Sequence, residues 1–345
     1  MNLFNRAEII DQNFSKHVKN NNLPEGTNEL TISDVSISPS KLISIFESQV
    51  YSRHMDLKAR ELKEKGECFY TIGSSGHESN AVFGNIFPYT DIAFLHYRSG
   101  AFYIERSKQL YNSTPLYDMA LSFTASSEDP ISGGRHKVFG SKRLNIPPQT
   151  STIASHIPKA VGTAFSIDRA CDLDIKERVL DKNSIVICSF GDASVNHASA
   201  LSGFNTARWV KSIGGSIPIV FICEDNGYGI SVPTPKSWIE NTFSNQDSIK
   251  YFHCDGLNLF DTINKTQEVQ EYCRSKRSPV FLHMKTVRLM GHAGSDIESS
   301  YLSMSDIEGA EKNDPLLHSA RILINDRILN SDEILDLYEK TRTRI

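Results

Sequence analysis

Several things are scarce in this sequence, and each shortage removes a class of function. Positive charge is not in excess: 37 lysines and arginines face 41 acidic residues, a net −4 over 345 residues. That balance argues against a nucleic-acid-binding protein. Long apolar runs are missing too, since stretches such as 217–223 fall far short of the roughly 20 residues that cross a bilayer, so no membrane association is expected. The first residues lack the apolar stretch of a secretory signal and carry an acid early, at Glu8, unlike a transit peptide, so a cytoplasmic location is expected. The six cysteines contain no Cys-x-x-Cys pair, which removes zinc-knuckle and disulfide-scaffold readings and leaves reduced, mostly buried thiols. No Gly-x-Ser-x-Gly elbow occurs, His77-Glu78 lacks the second histidine of a zincin helix, and Gly227-x-Gly229 lacks a third glycine and runs into Pro233 and Pro235. Hydrolase and nicotinamide-binding readings lose their footing.

What is present is enough apolar material, 39% of residues, for one large domain or two modest ones. Residues 20–38 are rich in Asn, Ser, Thr and Glu and include Pro24 and Gly26, so 1–38 is expected as an N-terminal arm or linker before a body at 39–345. Leu42, Ile45, Phe46, Gln49, Val50 and Leu57 recur at helical spacing from Pro39 to about Lys65, with Ser38-Pro39 as start and Gly66 as stop. A second helix is expected over 153–170, after a Pro147-Pro148 turn, with Ile157, Val161, Ala164, Phe165 and Ile167 on one face. The apolar run 184–190, a helix at 198–212 and the apolar run 217–223 form a βαβ unit. Another strand at 279–288 follows a helical stretch, so the fold class is α/β, a mostly parallel sheet with helices on both faces. A final helix starts at Asn330, with Glu333 completing its cap, and the chain is either a natural subunit or a fragment.

In such a sheet, ligands collect outside the carboxyl ends of the strands. The first run ends in Gly191-Asp192-Ala193-Ser194 and the second in Glu224-Asp225-Asn226-Gly227-Tyr228, so Asp192 and Asn226, 34 positions apart, can meet across adjacent strand ends. A carboxylate, an amide oxygen and a backbone carbonyl suit a small hard cation such as Mg2+, which completes its shell with phosphate oxygens. Small residues and a helix start after Asp192 would admit a diphosphate. Alone, the first motif could be only a helix cap and the second only a tight turn. Together they point to one ion.

Gly191-Asp192-Ala193 followed after 31 residues by Asp225-Asn226 resembles the thiamine-diphosphate motif. Gly73-Ser74-Ser75-Gly76-His77-Glu78, His96-Tyr97-Arg98, the run from Cys223 to Ser231, and Gly291-His292 resemble, in order and spacing across about 40–340, the alpha subunit of 2-oxo acid dehydrogenase decarboxylating components. Gly191 to His197 and Gly229 to Pro235 are most similar to the branched-chain, 2-oxoisovalerate (3-methyl-2-oxobutanoate) type. The resemblance implies a thiamine-diphosphate-binding fold with thiamine diphosphate and Mg2+ as cofactors. Asp192, Asn226 and the carbonyl of Tyr228 would hold the metal. Tyr97 and Arg98 would grip the diphosphate, a role that suits a guanidinium. Ser151, Ile153, Gly191, Ala193 and Ser194 would line the cofactor, Ile230 would support its bent shape, and His292 would bind it and act as the acid–base group.

The resemblance further implies a 2-oxo acid substrate, oxidative decarboxylation with acyl transfer to a lipoyl-bearing acyltransferase, and a beta subunit, separate or fused, in an α2β2 heterotetramer. Pyruvate or acetoin as substrate, and a non-catalytic cofactor-binding scaffold subunit, remain alternatives. Ala193 stands where the family usually has glycine and Asp225 where it has asparagine, while the three metal positions are kept. Ala293 occupies the place of a regulatory phosphoserine in mitochondrial relatives. A basic loop with Arg135, Lys137, Lys142 and Arg143 would suit an acidic partner or a carboxylate substrate, or be a solvated loop.

Overall fold

Two apolar runs that hide every side chain become neighbouring strands at the centre of the molecule. The computed structural model describes residues 5–27, 30–68, 72–135, 138–149 and 151–345. Its main sheet has five strands, β1 (Ile92–Phe94), β4 (Val186–Gly191), β5 (Ile219–Asp225), β6 (Lys250–Asp255) and β7 (Val280–Lys285), in the order β1-β4-β5-β7-β6. All its pairings are parallel. A small antiparallel pair, β2 (Phe139–Ser141) and β3 (Ile146–Gln149), forms its own sheet beside β1, whose Ala93 N–H donates to the Asn145 carbonyl at 2.9 Å. Pro147 and Pro148, expected as a turn, lie inside β3. A two-stranded pair leaves edges free, which is where a residue without an N–H is tolerated.

The helices are α1 (Arg6–Lys19), α2 (Pro39–Glu64), α3 (Ala81–Ile86), α4 (Gly100–Ser107), α5 (Pro115–Phe123), α6 (Ile157–Asp172), α7 (Ala198–Ser212), α8 (Trp238–Phe243), α9 (Leu259–Lys276), α10 (Met304–Lys312), α11 (Pro315–Asn325) and α12 (Ser331–Arg342). Strand residues alternate between two apolar layers, as a period of two requires. Ile187, Val220, Ile222, Val280 and Leu282 meet Met55 of α2, Phe83 of α3, Phe102 of α4 and Val269 of α9. Val186, Cys188, Phe190, Ile219 and Phe221 meet Ile157 and Val161 of α6 and Phe204 of α7. Both faces are covered, which explains why these strands read as unbroken apolar runs.

The expected helix from Ser38 is there: the Ser38 hydroxyl accepts the Lys41 N–H at 3.3 Å and Pro39 opens the first turn. It is not amphipathic along its middle, however. Ser48, Gln49, Ser52, Arg53, His54 and Asp56 are buried as well as Ile45, Phe46 and Val50, so α2 is a central helix whose polar side is packed, with Ser48, Arg53, His54 and Asp56 hydrogen-bonded. The second helix begins at Ile157, four residues later than expected, and Phe165 points to solvent at 42% exposure. Within the stretch expected as an arm, Arg6–Lys19 forms a helix whose Ile10, Phe14 and Val18 are buried. Phe14 stacks on Tyr338 of α12 at 4.3 Å. The four-residue spacing of those three side chains is the helical signal, set among polar neighbours that mask it.

Asn330 and Glu333 form a reciprocal cap at the start of α12. Cys68, Cys188, Cys223, Cys254 and Cys273 are buried. Burial pushes the thiols of Cys188, Cys223, Cys254 and Cys273 up, so they stay protonated. Among the described residues no helix is long and apolar enough to cross a membrane.

Candidate functional site

Four adjacent strands deliver the site from one edge of the sheet. β4 and β5 pair with Gly191 opposite Glu224, so Asp192 and Asn226, each the residue after its strand, emerge side by side. β1 pairs with the other side of β4 and leads into His96, Tyr97 and Arg98. β7 pairs with β5, aligning Lys285 with Asp225, and leads through Arg288 to His292. A narrow cleft opens among these ends, lined by His96, Tyr97, Arg98, Ile153, Gly191, Asp192, Ala193, Ser194, Asn226, Tyr228, Gly229, Ile230 and His292. Every residue expected at the cofactor or metal is in that lining except Ser151, which sits two residues before Ile153 and does not line it.

Asp192 is buried, and its Oδ2 accepts the Thr234 hydroxyl at 2.6 Å. Burial, with the negative charge of Asp225 nearby, raises its pKa to about 7. Such a carboxylate lacks a compensating cation. Asp225 is the reverse case. Burial would raise it, but His283 Nε2 and Lys285 Nζ, both 2.7 Å from Oδ2, outweigh that and hold it well below the usual range. Tyr251 closes the same chain with its hydroxyl 2.8 Å from His283 Nδ1. The acid that stands where the related motif has asparagine is therefore already neutralised, and the uncompensated acid is Asp192. With the amide oxygen of Asn226 and the carbonyl of Tyr228 in the same lining, the donors are all hard oxygens, a set that fits Mg2+.

On the opposite wall, Arg98 is 2% exposed. Its Nη1 donates to the Gly73 carbonyl at 2.6 Å, and its Nη2 donates to the His292 carbonyl at 3.0 Å and lies 3.1 Å from His292 Nδ1. A guanidinium can only donate, so His292 Nδ1 is the accepting nitrogen and Nε2 carries the hydrogen. The Tyr97 ring meets His292 edge-on at 5.9 Å. Burial, with Arg98 and Arg288 adding positive charge, lowers the His292 pKa to about 4, so this imidazole is neutral near pH 7 until an anion arrives. An incoming diphosphate would offset both arginines and raise it.

The loop that carries His292 is tied at several points. The His292 N–H donates to Asp296 Oδ2 at 2.6 Å, and the Tyr301 hydroxyl donates to that oxygen at 2.6 Å. Arg288 donates to the carbonyls of Gly229 and Ile230 at 2.8 and 2.9 Å and to the Tyr301 hydroxyl at 2.9 Å. Ile230 and Ile153 remain half-exposed, at 56% and 42%, two apolar side chains at the cleft mouth. Among the basic-loop residues, Arg143 donates to the carbonyls of Tyr111 and Asn112, Arg135 to that of Ser132, and neither lines the cleft. Lys142 does not line it either, and Lys137 lies outside the described residues. Thr234, Arg288, Asp296 and Tyr301 were not singled out as site residues in the sequence. Arg288 and Asp296 flank His292 closely enough for their charges to have signalled the loop.

A family model described as "Dehydrogenase E1 component" matches residues 47–345. The chain is 26% identical over 298 residues, 85% of its length, to the mouse mitochondrial 2-oxoisovalerate dehydrogenase subunit alpha, of which 63% is covered. It is also 26% identical to the 2-oxoisovalerate dehydrogenase subunit alpha of Bacillus subtilis (strain 168), covering 87% of this chain and 86% of that one. The pyruvate dehydrogenase E1 component subunit alpha of Rickettsia prowazekii (strain Madrid E) is 25% identical, with 89% and 92% covered. The chain spans about three fifths of the length of the mammalian relatives it matches.

Proposed function

The chain belongs to the dehydrogenase E1 component family, and from that premise we propose that it is the alpha part of a thiamine-diphosphate- and Mg2+-dependent 2-oxo acid dehydrogenase acting on a branched-chain 2-oxo acid. The observation that carries this reading is the meeting of Asp192, Asn226, Tyr97, Arg98 and His292 in one cleft at the carboxyl ends of adjacent strands. When bound, thiamine diphosphate supplies the chemistry that removes carbon dioxide from a 2-oxo acid and passes the acyl group to a lipoyl acceptor.

The protein's own residues bind, orient and hold protons. Asp192, Asn226 and the Tyr228 carbonyl would hold Mg2+ against the diphosphate. Arg98 would offer its remaining N–H donors to phosphate oxygens, with the Tyr97 hydroxyl as an additional donor. Ile153 and Ile230 would give the organic part apolar contact at the cleft mouth. His292 offers Nε2–H towards the cleft, because Arg98 occupies Nδ1. Beside a bound anion the His292 pKa would rise from about 4 towards the range where an imidazole exchanges protons at neutral pH.

A beta-type partner, separate or fused, would complete the site in an α2β2 assembly, and a lipoyl-bearing acyltransferase would take the product. The branched-chain assignment is supported by the names of the mouse and Bacillus relatives. The Rickettsia relative, named for pyruvate and almost as similar, makes pyruvate the second reading. The test is the rate of carbon dioxide release from 3-methyl-2-oxobutanoate and from pyruvate, with the chain assembled with a beta-type partner, thiamine diphosphate and Mg2+. The expected result is turnover favouring 3-methyl-2-oxobutanoate, reduced at least about 100-fold in Asp192→Ala, as loss of a metal ligand implies. Preference for pyruvate transfers the assignment. Cofactor binding without turnover on either acid means a scaffold subunit.

A further inference from the structure

Beneath the cleft lies a fully buried polar layer that the reading above does not use. Glu224, the last residue but one of β5, is completely buried, and so is His77. The His77 ring bridges two neighbours: Nδ1 is 2.7 Å from Glu224 Oε2, and Nε2 is 2.9 Å from Asn226 Nδ2. The hydrogen positions follow from what each atom can do. Glu224 Oε2 also takes an N–H from Asn80 Nδ2 at 3.3 Å, so it acts as an acceptor and His77 Nδ1 carries the hydrogen. Asn226 Nδ2 can only donate, so His77 Nε2 must be bare. The other half of the amide agrees, because Asn226 Oδ1 accepts the backbone N–H of Tyr228 at 3.0 Å. One tautomer and one amide orientation satisfy every contact.

The ring is held from its backbone as well. Gly76 adopts φ +101, and a Cβ there would collide with the Val287 carbonyl, so only glycine allows the two segments to approach so closely. The Gly76 N–H donates to Glu78 Oε2 at 2.7 Å, and the Thr286 hydroxyl donates to the Gly76 carbonyl at 2.5 Å. The turn that carries His77 is thereby fastened to the segment that follows β7.

We propose that His77 and Glu224 are positioning residues that lock the Asn226 amide so that its oxygen, not its NH2, is the atom offered to the divalent cation; the inference rests on the reading of Asp192 and Asn226 as cation ligands. With its hydrogen on Nε2, His77 would set two donors against one another at the Asn226 contact, and relief would require the amide to turn over. That turn would put NH2 against the Tyr228 N–H and towards the cation. Partners that orient a ligand from behind contribute about 10- to 100-fold to metal affinity.

The test is Mn2+ binding in the presence of thiamine diphosphate, read by the electron paramagnetic resonance signal of free Mn2+, in the full chain assembled with a beta-type partner. His77→Gln places an amide oxygen where it can accept from Asn226 and an NH2 where it can donate to Glu224. His77→Asn is one carbon shorter and serves Glu224 alone. The expected result is an affinity within about threefold of native for His77→Gln and about 10- to 100-fold weaker for His77→Asn, at equal thermal midpoints of the ligand-free proteins. Glu224→Gln can donate as well as accept, so it releases the tautomer and weakens Mn2+ binding; unchanged binding removes Glu224 from the device. Equal affinities of His77→Gln and His77→Asn overturn this inference alone. Failure of the native protein to bind Mn2+ together with thiamine diphosphate overturns the functional reading, and this inference with it.

Discussion

Arg98 shows how much one residue is asked to do at this site. A single buried guanidinium holds the Gly73 carbonyl and both the ring and the carbonyl of His292, and it faces the cleft where a diphosphate would lie. Lysine keeps the charge but concentrates it at one point and loses the fork. Charge-assisted hydrogen bonds are worth about 1.5–3 kcal/mol each, so Arg98→Lys is expected to weaken thiamine diphosphate binding by about 10- to 100-fold, measured by titration calorimetry on the assembled protein. Affinity within a factor of about two would mean that the guanidinium is structural only. Residues of this kind were legible in the sequence because their chemistry is unusual for its place: an acid and an amide just beyond two apolar runs, and an Arg after a Tyr. Asp225 was legible as a departure but not in its consequence, since His283 and Lys285 lie about 60 positions away and compensate it only through the sheet register. His77 and Glu224 stand in quoted motifs, yet a hydrogen-bond relay between residues 147 positions apart has no one-dimensional trace.

At the scale of elements, α2 is the part of the fold that the sequence pattern described least well. Its apolar positions match a helical stripe, and its polar residues read as a solvated face. In the structure that face holds Arg53, completely buried, with Nε 2.7 Å from Glu78 Oε1 and both terminal nitrogens 2.8 Å from the Asp314 carboxylate. Helix α2, the turn after His77 and the start of α11 are joined at that point. Burial pushes the Glu78 carboxyl up to about 7 even with Arg53 beside it, a sign of how much solvation the trio has given up. Removing the cation would leave two buried acids without a partner. Arg53→Leu is therefore expected to cost about 3–5 kcal/mol, read as a fall in the urea midpoint with unchanged slope; a loss below about 1 kcal/mol, the range of an exposed pair, would show that water reaches the trio. Strands were legible where they are apolar, as in β4, β5 and β7. They were not where they are three residues long, as in β1, or mixed in character, as in β6, whose Lys250-Tyr251-Phe252-His253-Cys254-Asp255 has no unbroken apolar stretch.

Across the whole molecule, α1 and α12 close over α2, and that closure gives a pH signature. Helix α1 packs on α12 through Phe14 and Tyr338, and Asp11 accepts the Tyr338 hydroxyl at 2.7 Å and the Arg342 guanidinium at 2.7 and 2.9 Å. Arg6 pairs with Glu298 and Glu311 and donates to the Leu289 carbonyl, so the same helix also braces the segment that leads to His292. Under this lid His54 is 3% exposed, with Nε2 2.9 Å from the Tyr338 carbonyl. Burial, and next the positive charge of Arg342, lower its pKa from 6.5 to about 4. Between those values the unfolded chain binds a proton that the folded chain refuses, so this group's contribution is complete above pH 6.5 and is lost as pH falls towards 4. A difference of that size corresponds to something on the order of 3 kcal/mol. His156 and His292 are depressed to about 4 as well, so the slope of the native protein alone cannot be assigned. The difference between native and His54→Gln can, because glutamine still donates to the Tyr338 carbonyl but does not titrate. In urea unfolding of the cofactor-free chain, the two proteins should be similar in stability at pH 7.5, and His54→Gln should be the more stable by pH 5. Parallel curves over that range would mean that His54 is protonated in the folded state, and that the lid formed by α1 and α12 opens readily enough to hydrate it.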